Sequence, residues 1–134
     1  MVESIDHIAV VVRDLDEALT FYRDALSLEV TERREVPEEQ VAIASLSIGD
    51  TSIELVQPLH AESGIARFLE KRGEGLHHIC LNVKDIATAM AQLRDAGADL
   101  ITKSPRTGVD GKRYAFIHPK SAHGVLLELY ERSE

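Results

Sequence analysis

The sequence predicts an α+β fold, made of two βαβββ modules that pair into an open, barrel-like mixed sheet around a metal-binding cleft. Three observations lead there. The chain repeats itself at a fixed offset. Each copy passes from strand-like to helix-like periodicity in the same order. Each copy carries one histidine and one glutamate at matched places. Internal repetition of this kind constrains a fold more than any local propensity does.

The repeat is plain at the start of each copy. Asp6-His7-Ile8-Ala9-Val10-Val11-Val12-Arg13-Asp14-Leu15 returns as His77-His78-Ile79-Cys80-Leu81-Asn82-Val83-Lys84-Asp85-Ile86, an offset of 71 positions. Helical spacing then puts Leu15, Ala18, Leu19, Tyr22 and Leu26 on one face, and Ile86, Ala89, Met90, Leu93 and Ala96 on another. Asp14 and Asp85 stand where an N-cap side chain can accept from the first free backbone N–H groups, and Gly97 where a helix ends. Strands are expected at 29–36, 40–48 and 51–57 in copy one, with Gly49-Asp50 as the turn between the last two. In copy two they are expected at 99–102, 112–118 and 124–131, with a loop at 104–111. We read one domain over 1–134: module one at about 1–58, a linker with a short helix at about 59–74, and module two at about 75–134. Pairing the two curled sheets side by side would remove their open edges.

Composition narrows the partners. A net charge of −8 argues against nucleic acid, because a phosphate polymer is repelled at long range. One cysteine, Cys80, excludes an internal disulfide and suits a reducing compartment. No apolar run approaches a membrane span, and Met1 leads directly toward a strand with no signal-like segment, so a cytoplasmic protein is expected.

His7 and His78 occupy matched strand positions, as do Glu54 and Glu128; Glu54 follows its histidine by 47 positions and Glu128 by 50. A lone strand histidine is usually a core or surface residue, and either glutamate could face solvent. Coincidence across both copies favours a shared purpose: two imidazoles and two carboxylates holding one divalent cation, with cobalt, manganese, nickel, iron and zinc as candidates. Four protein ligands leave positions open for substrate oxygens. His60, His77, His118 and His123 are expected to be structural or peripheral, His118 being the one nearest a ligand.

Further segments carry a resemblance. They are Ile53-Glu54-Leu55 with Pro58-Leu59, Ile65-Ala66-Arg67-Phe68-Leu69, and Gly73-Glu74-Gly75-Leu76-His77-His78-Ile79. Gly111-Lys112-Arg113, His118-Pro119-Lys120 and Gly124-Val125-Leu126-Leu127-Glu128-Leu129 complete the set. With the opening repeat, they make nearly the whole chain resemble the vicinal oxygen chelate superfamily, whose fold is the glyoxalase/bleomycin-resistance type. Within it the chain is similar to the methylmalonyl-CoA epimerase family. The resemblance implies removal and return of the proton α to a thioester through a metal-stabilised enolate, with one divalent metal, an acyl-CoA substrate and a homodimer. It implies His7, Glu54, His78 and Glu128 as metal ligands and Glu128 as an acid/base. The second acid/base is open: some members carry a third-strand glutamate where this chain has Ile43, leaving Glu54, a water, or Glu38 or Glu39. Lys120, Arg113, Lys112 and His118 are the expected substrate contacts, drawn from a local basic group that also holds Lys103 and Arg106, and the loop ending at Arg113 reads as mobile. The alternatives are a glyoxalase-like lyase or isomerase on another thioester, and a non-catalytic small-ligand-binding member of the superfamily.

Overall fold

Two compact units make up the computed structural model, which describes residues 1–132. One is His7–His77; the other joins Met1–Asp6 to His78–Glu134. The boundary falls inside two strands. Strand β1 (Val2–Val11) gives its first half to one unit and its second half to the other, and β5 (Gly75–Val83) is cut between the paired histidines His77 and His78. The hydrogen-bonded strand order is β2-β3-β4-β1-β5-β8-β7-β6, a mixed eight-stranded sheet.

In the His7–His77 unit, β1 runs parallel to β4 (Thr51–Pro58), and β4, β3 (Val41–Ile48) and β2 (Glu29–Val36) follow antiparallel. Strand β3 is central and apolar, and it is buried along six consecutive residues. The edge strand β2 is charged and exposed from Thr31 to Glu35, which discourages pairing with another chain. One face packs against α1 (Leu15–Leu19) through Val12, Leu15, Leu19, Ala42, Ala44, Leu46 and Leu55. The other face buries Ala9, Val36, Val41, Ile43 and Val56 against Ile65 of α2 (Gly64–Arg72).

Asp14 caps α1 by accepting from the Glu17 N–H at 2.9 Å, as the sequence predicts. The helix then differs from expectation. Over Thr20–Ala25 it widens to a π-helix, the Leu26 N–H reaching back five residues to the Phe21 carbonyl. The extra residue per turn rotates Leu26 off the buried face, and it is 48% exposed.

In the other unit, β5 lies between the first half of β1 and β8 (Leu127–Glu131), which is parallel to it. Strand β7 (Arg113–Ile117) is antiparallel to β8, and a two-residue strand, β6 (Arg106–Thr107), borders β7. Helix α3 (Ile86–Asp95), capped by Asp85, covers one face through Ile86, Ala89 and Met90, which pack with Val83, Leu100, Ala115, Ile117 and Leu129. The strand expected at 99–102 does not form. Leu100 makes a single bridge to Ile117, and the buried Thr102 hydroxyl accepts the Phe116 N–H at 3.0 Å, taking the place of a ladder carbonyl. Strand β6 arises inside the expected loop. Among the described residues no helix is long and apolar enough to cross a membrane.

Candidate active site

Each unit builds one histidine–glutamate pair from the same backbone arrangement. In the His7–His77 unit, Glu54 on β4 stands opposite Ala9 on β1, two residues beyond His7. In the other unit, Glu128 on β8 stands opposite Cys80 on β5, two residues beyond His78. Strand side chains alternate, so residues two apart share a face with their cross-strand partners. Each register therefore sets one carboxylate beside one imidazole. The intervening residues, Ala9 and Cys80, are small and fully buried.

The side chains meet as the register requires. His7 Nδ1 lies 3.5 Å from Glu54 Oε2, with the two side chains 10% and 18% exposed. His78 Nε2 lies 3.1 Å from Glu128 Oε1, both 13% exposed. A half-buried carboxylate next to an imidazole is compensated rather than left as an isolated charge.

The surroundings of the two pairs differ. Opposite Glu54, on β3, stands buried Ser45; Ile43 lies two residues before it on the same face, packed with Ala9 and Val56. Glu38 and Glu39 sit exposed on the turn Pro37–Glu39 that leads into β3. Opposite Glu128, on β7, stands Phe116, whose ring meets His78 edge to face at 5.8 Å between centroids. Tyr114 continues this wall, edge to face with Phe116 at 6.0 Å. Neither aromatic was singled out from the sequence, although strand alternation back from the glutamate's cross-strand neighbour could have found both.

The basic residues separate. Arg113 was expected at a substrate phosphate, but alternation puts it on the helix-bearing face of β7. There its guanidinium donates to Glu131 at 3.1 and 2.8 Å. Those bonds hold the Glu131 carboxyl below its ordinary value, with a second contribution from the Ile86 N–H. His118 Nδ1 accepts from the Lys120 N–H at 3.0 Å, capping the turn Pro119–Ala122, on which Lys120 is exposed. Lys112 ends a loop that is tied by hydrogen bonds where the sequence suggests mobility. His77 packs edge to face on Phe68 of α2 at 4.9 Å, and His60 and His123 are exposed.

Known proteins share this chain's pattern. A profile of the glyoxalase/bleomycin resistance protein/dioxygenase superfamily matches residues 6–116. The ethylmalonyl-CoA/methylmalonyl-CoA epimerase of Cereibacter sphaeroides is 40% identical over 131 residues, covering 96% of this chain and 98% of the relative. The mitochondrial methylmalonyl-CoA epimerase of Mus musculus is 38% identical over 126 residues, covering 93% and 71%. Among solved structures, a variant of Streptomyces coelicolor methylmalonyl-CoA epimerase in complex with 2-nitronate-propionyl-CoA is similar with a TM-score of 0.90 at 35% identity, covering 99% of this chain and 96% of that one.

Proposed function

This chain belongs to the glyoxalase/bleomycin resistance protein/dioxygenase superfamily, and we propose that it acts there as a methylmalonyl-CoA epimerase, interconverting the R and S epimers at C2. The observation that carries the reading is the histidine–glutamate pair, set at the same register in both units. The epimerases among its relatives and structural neighbours support the substrate.

In this proposal His7, Glu54, His78 and Glu128 hold one divalent cation, cobalt first, with manganese, nickel, zinc or iron as alternatives. The donor set fits such an ion. Imidazole nitrogen and carboxylate oxygen both suit it, and the 3.1 and 3.5 Å separations within the pairs are near the roughly 3 Å between neighbouring ligands on bonds of about 2.1 Å. When bound, the cation supplies the electrophilic charge that acidifies a proton next to a thioester.

The protein's own groups move that proton. Epimerisation needs a carrier on each side of the planar reacting carbon. Glu128 takes or returns the C2 proton at a carboxylate oxygen on one side, and Glu54 does so on the other. Ile43 offers no proton, so Glu54 is the carboxylate beside His7 that can serve. Lys120, Lys112 and His118 contact the anionic CoA portion, and Arg113 contributes positive charge while its hydrogen bonds stay with Glu131. A cytoplasmic homodimer completes the proposal, on the single cysteine and the short apolar helix faces.

The test follows the C2 proton of methylmalonyl-CoA by NMR in D2O, with chelator-stripped protein before and after cobalt is added. Deuterium should enter only with metal. No exchange with any of the five divalent ions would overturn the reading in favour of a binding protein or another lyase.

A further inference from the structure

Residues 108–112 carry Lys112, and one side chain ties this loop to the sheet. Asp110 Oδ1 accepts the Lys112 N–H at 3.0 Å, while its Oδ2 accepts the hydroxyl of Tyr130. The Lys112 ammonium lies over the Tyr130 ring, 5.1 Å from its centroid. Within the loop the Gly108 N–H donates to the Lys112 carbonyl at 2.9 Å. Gly108 leaves room for the Asp110 carboxylate, since a Cβ there would stand 3.1 Å from Oδ1. Tyr130 follows Glu128 by two residues in β8 and shares its face, with Tyr114 directly opposite. Tyr114, Phe116 and His78 then touch in series. A run of rings thus leads from the loop to the His78–Glu128 pair.

We propose that Tyr130 is a positioning residue that, through Asp110, holds Lys112 ready for the phosphate-bearing end of the acyl-CoA substrate. The proposal rests on the epimerase reading for its substrate class. A lysine on an untied loop loses much freedom on binding an anion. Tying the loop beforehand reduces that loss. The tyrosine face favours the ammonium without neutralising it, so its charge stays available to a phosphate.

The test compares wild type with Tyr130→Phe and Asp110→Asn on two substrates, methylmalonyl-CoA and the methylmalonyl thioester of pantetheine, which lacks the phosphates. Both variants should raise KM for the CoA thioester about tenfold, as for a lost hydrogen bond to a charged acceptor. Their kcat, and their KM for the pantetheine thioester, should stay at wild-type values. An unchanged KM for the CoA thioester, or equal rises for both substrates, overturns the proposal. Hydrogen exchange of the Gly111 and Lys112 amides reads the tie without any substrate, and Tyr130→Phe should speed it. Unchanged exchange overturns the tie itself. Wild type inactive on both thioesters overturns the epimerase reading and with it the role assigned to Lys112.

Discussion

In the His7–His77 unit, β3 sets Ser45 opposite Glu54; in the other unit, β7 sets Phe116 opposite Glu128. The strand pairs that carry the histidines and glutamates share one register, yet what stands beside them does not. The outer edges diverge further. Strand β2 runs along β3 from Glu29 to Val36, whereas the second unit offers β7 only the two residues of β6 and the Leu100 bridge. The repeat has kept the backbone that orients donor side chains and let the walls change. One unit has a small polar wall and a long edge strand with a bulge at Thr31, the other an aromatic wall and a loop tied to it. Alternation explains why this is tolerated: the register of a parallel pair fixes its own side chains and leaves the next strand free.

The sharpest way to break the comparison is to remove one carboxylate at a time. Glu54→Gln and Glu128→Gln should each slow epimerisation by about 10²–10⁴-fold, the range for losing a positioned acid/base. They should also leave different residues of activity. Each variant should still exchange the C2 proton of one epimer with D2O while failing to invert it, and the epimer should differ between the variants. Exchange and inversion lost together in both variants would mean that the glutamates do not divide the two sides between them.

A second contrast tests the cores beneath the pairs. Leu55 and Leu129 directly follow the two glutamates and are buried on the helix-bearing faces. Leu55→Ala and Leu129→Ala should each cost about 2–5 kcal/mol in urea unfolding, through lost transfer energy and the cavity left behind. A loss under about 1 kcal/mol at either site would mean that its cluster closes over the gap.

Much of this was legible in the chain because repetition made the reading redundant. Asp14 and Asp85 were found as caps because the same residue opens the helix in both copies, and strands 29–36 and 40–48 were found from the pattern and turn residues of their own segment. The failures are non-local. Asp99 to Thr102 reads as a strand, and only the fold reveals that the Thr102 hydroxyl replaces a backbone partner for Phe116. The widened turn after α1 depends on a bond five residues long that leaves no pattern in the sequence. At the candidate site the four donor residues stood out through the repeat. Phe116 and Asp110 did not, because they belong to the part of each copy that diverged, and Tyr130 did not, because its counterpart in the matched strand is an ordinary apolar residue, Val56. Thr102→Val measures that divergence: it removes the acceptor of the part-buried Phe116 N–H and should cost about 1–3 kcal/mol in urea unfolding. A neutral outcome would mean that water or a shifted backbone serves Phe116 equally well.

The smallest contrast lies where each helix begins. The Leu15 N–H donates to Gln57 at 2.8 Å, and the Ile86 N–H, 71 positions later, donates to Glu131 at 3.0 Å. The acceptors occupy matched places, three residues after Glu54 and Glu128, but one is neutral and the other ionised. Hydrogen bonds from Arg113 and then from the Ile86 N–H hold the Glu131 carboxyl below its ordinary value of 4.5. A carboxyl whose native value is depressed stabilises the fold fully above its unfolded value, and it loses that contribution as the pH falls through the native one. The start of α3 should therefore loosen in acid while the start of α1 does not. Glu131→Gln would copy the Gln57 arrangement into the second unit. At neutral pH it should be less stable than wild type, because a charge-assisted bond becomes a neutral one. As the pH falls below 4.5 and through the carboxyl's lowered native value the difference should close, read both from urea midpoints and from hydrogen exchange at the Ile86 amide. A gap that stays constant into acid would show that Glu131 holds α3 by shape alone, as Gln57 holds α1, and that the charge adds nothing there.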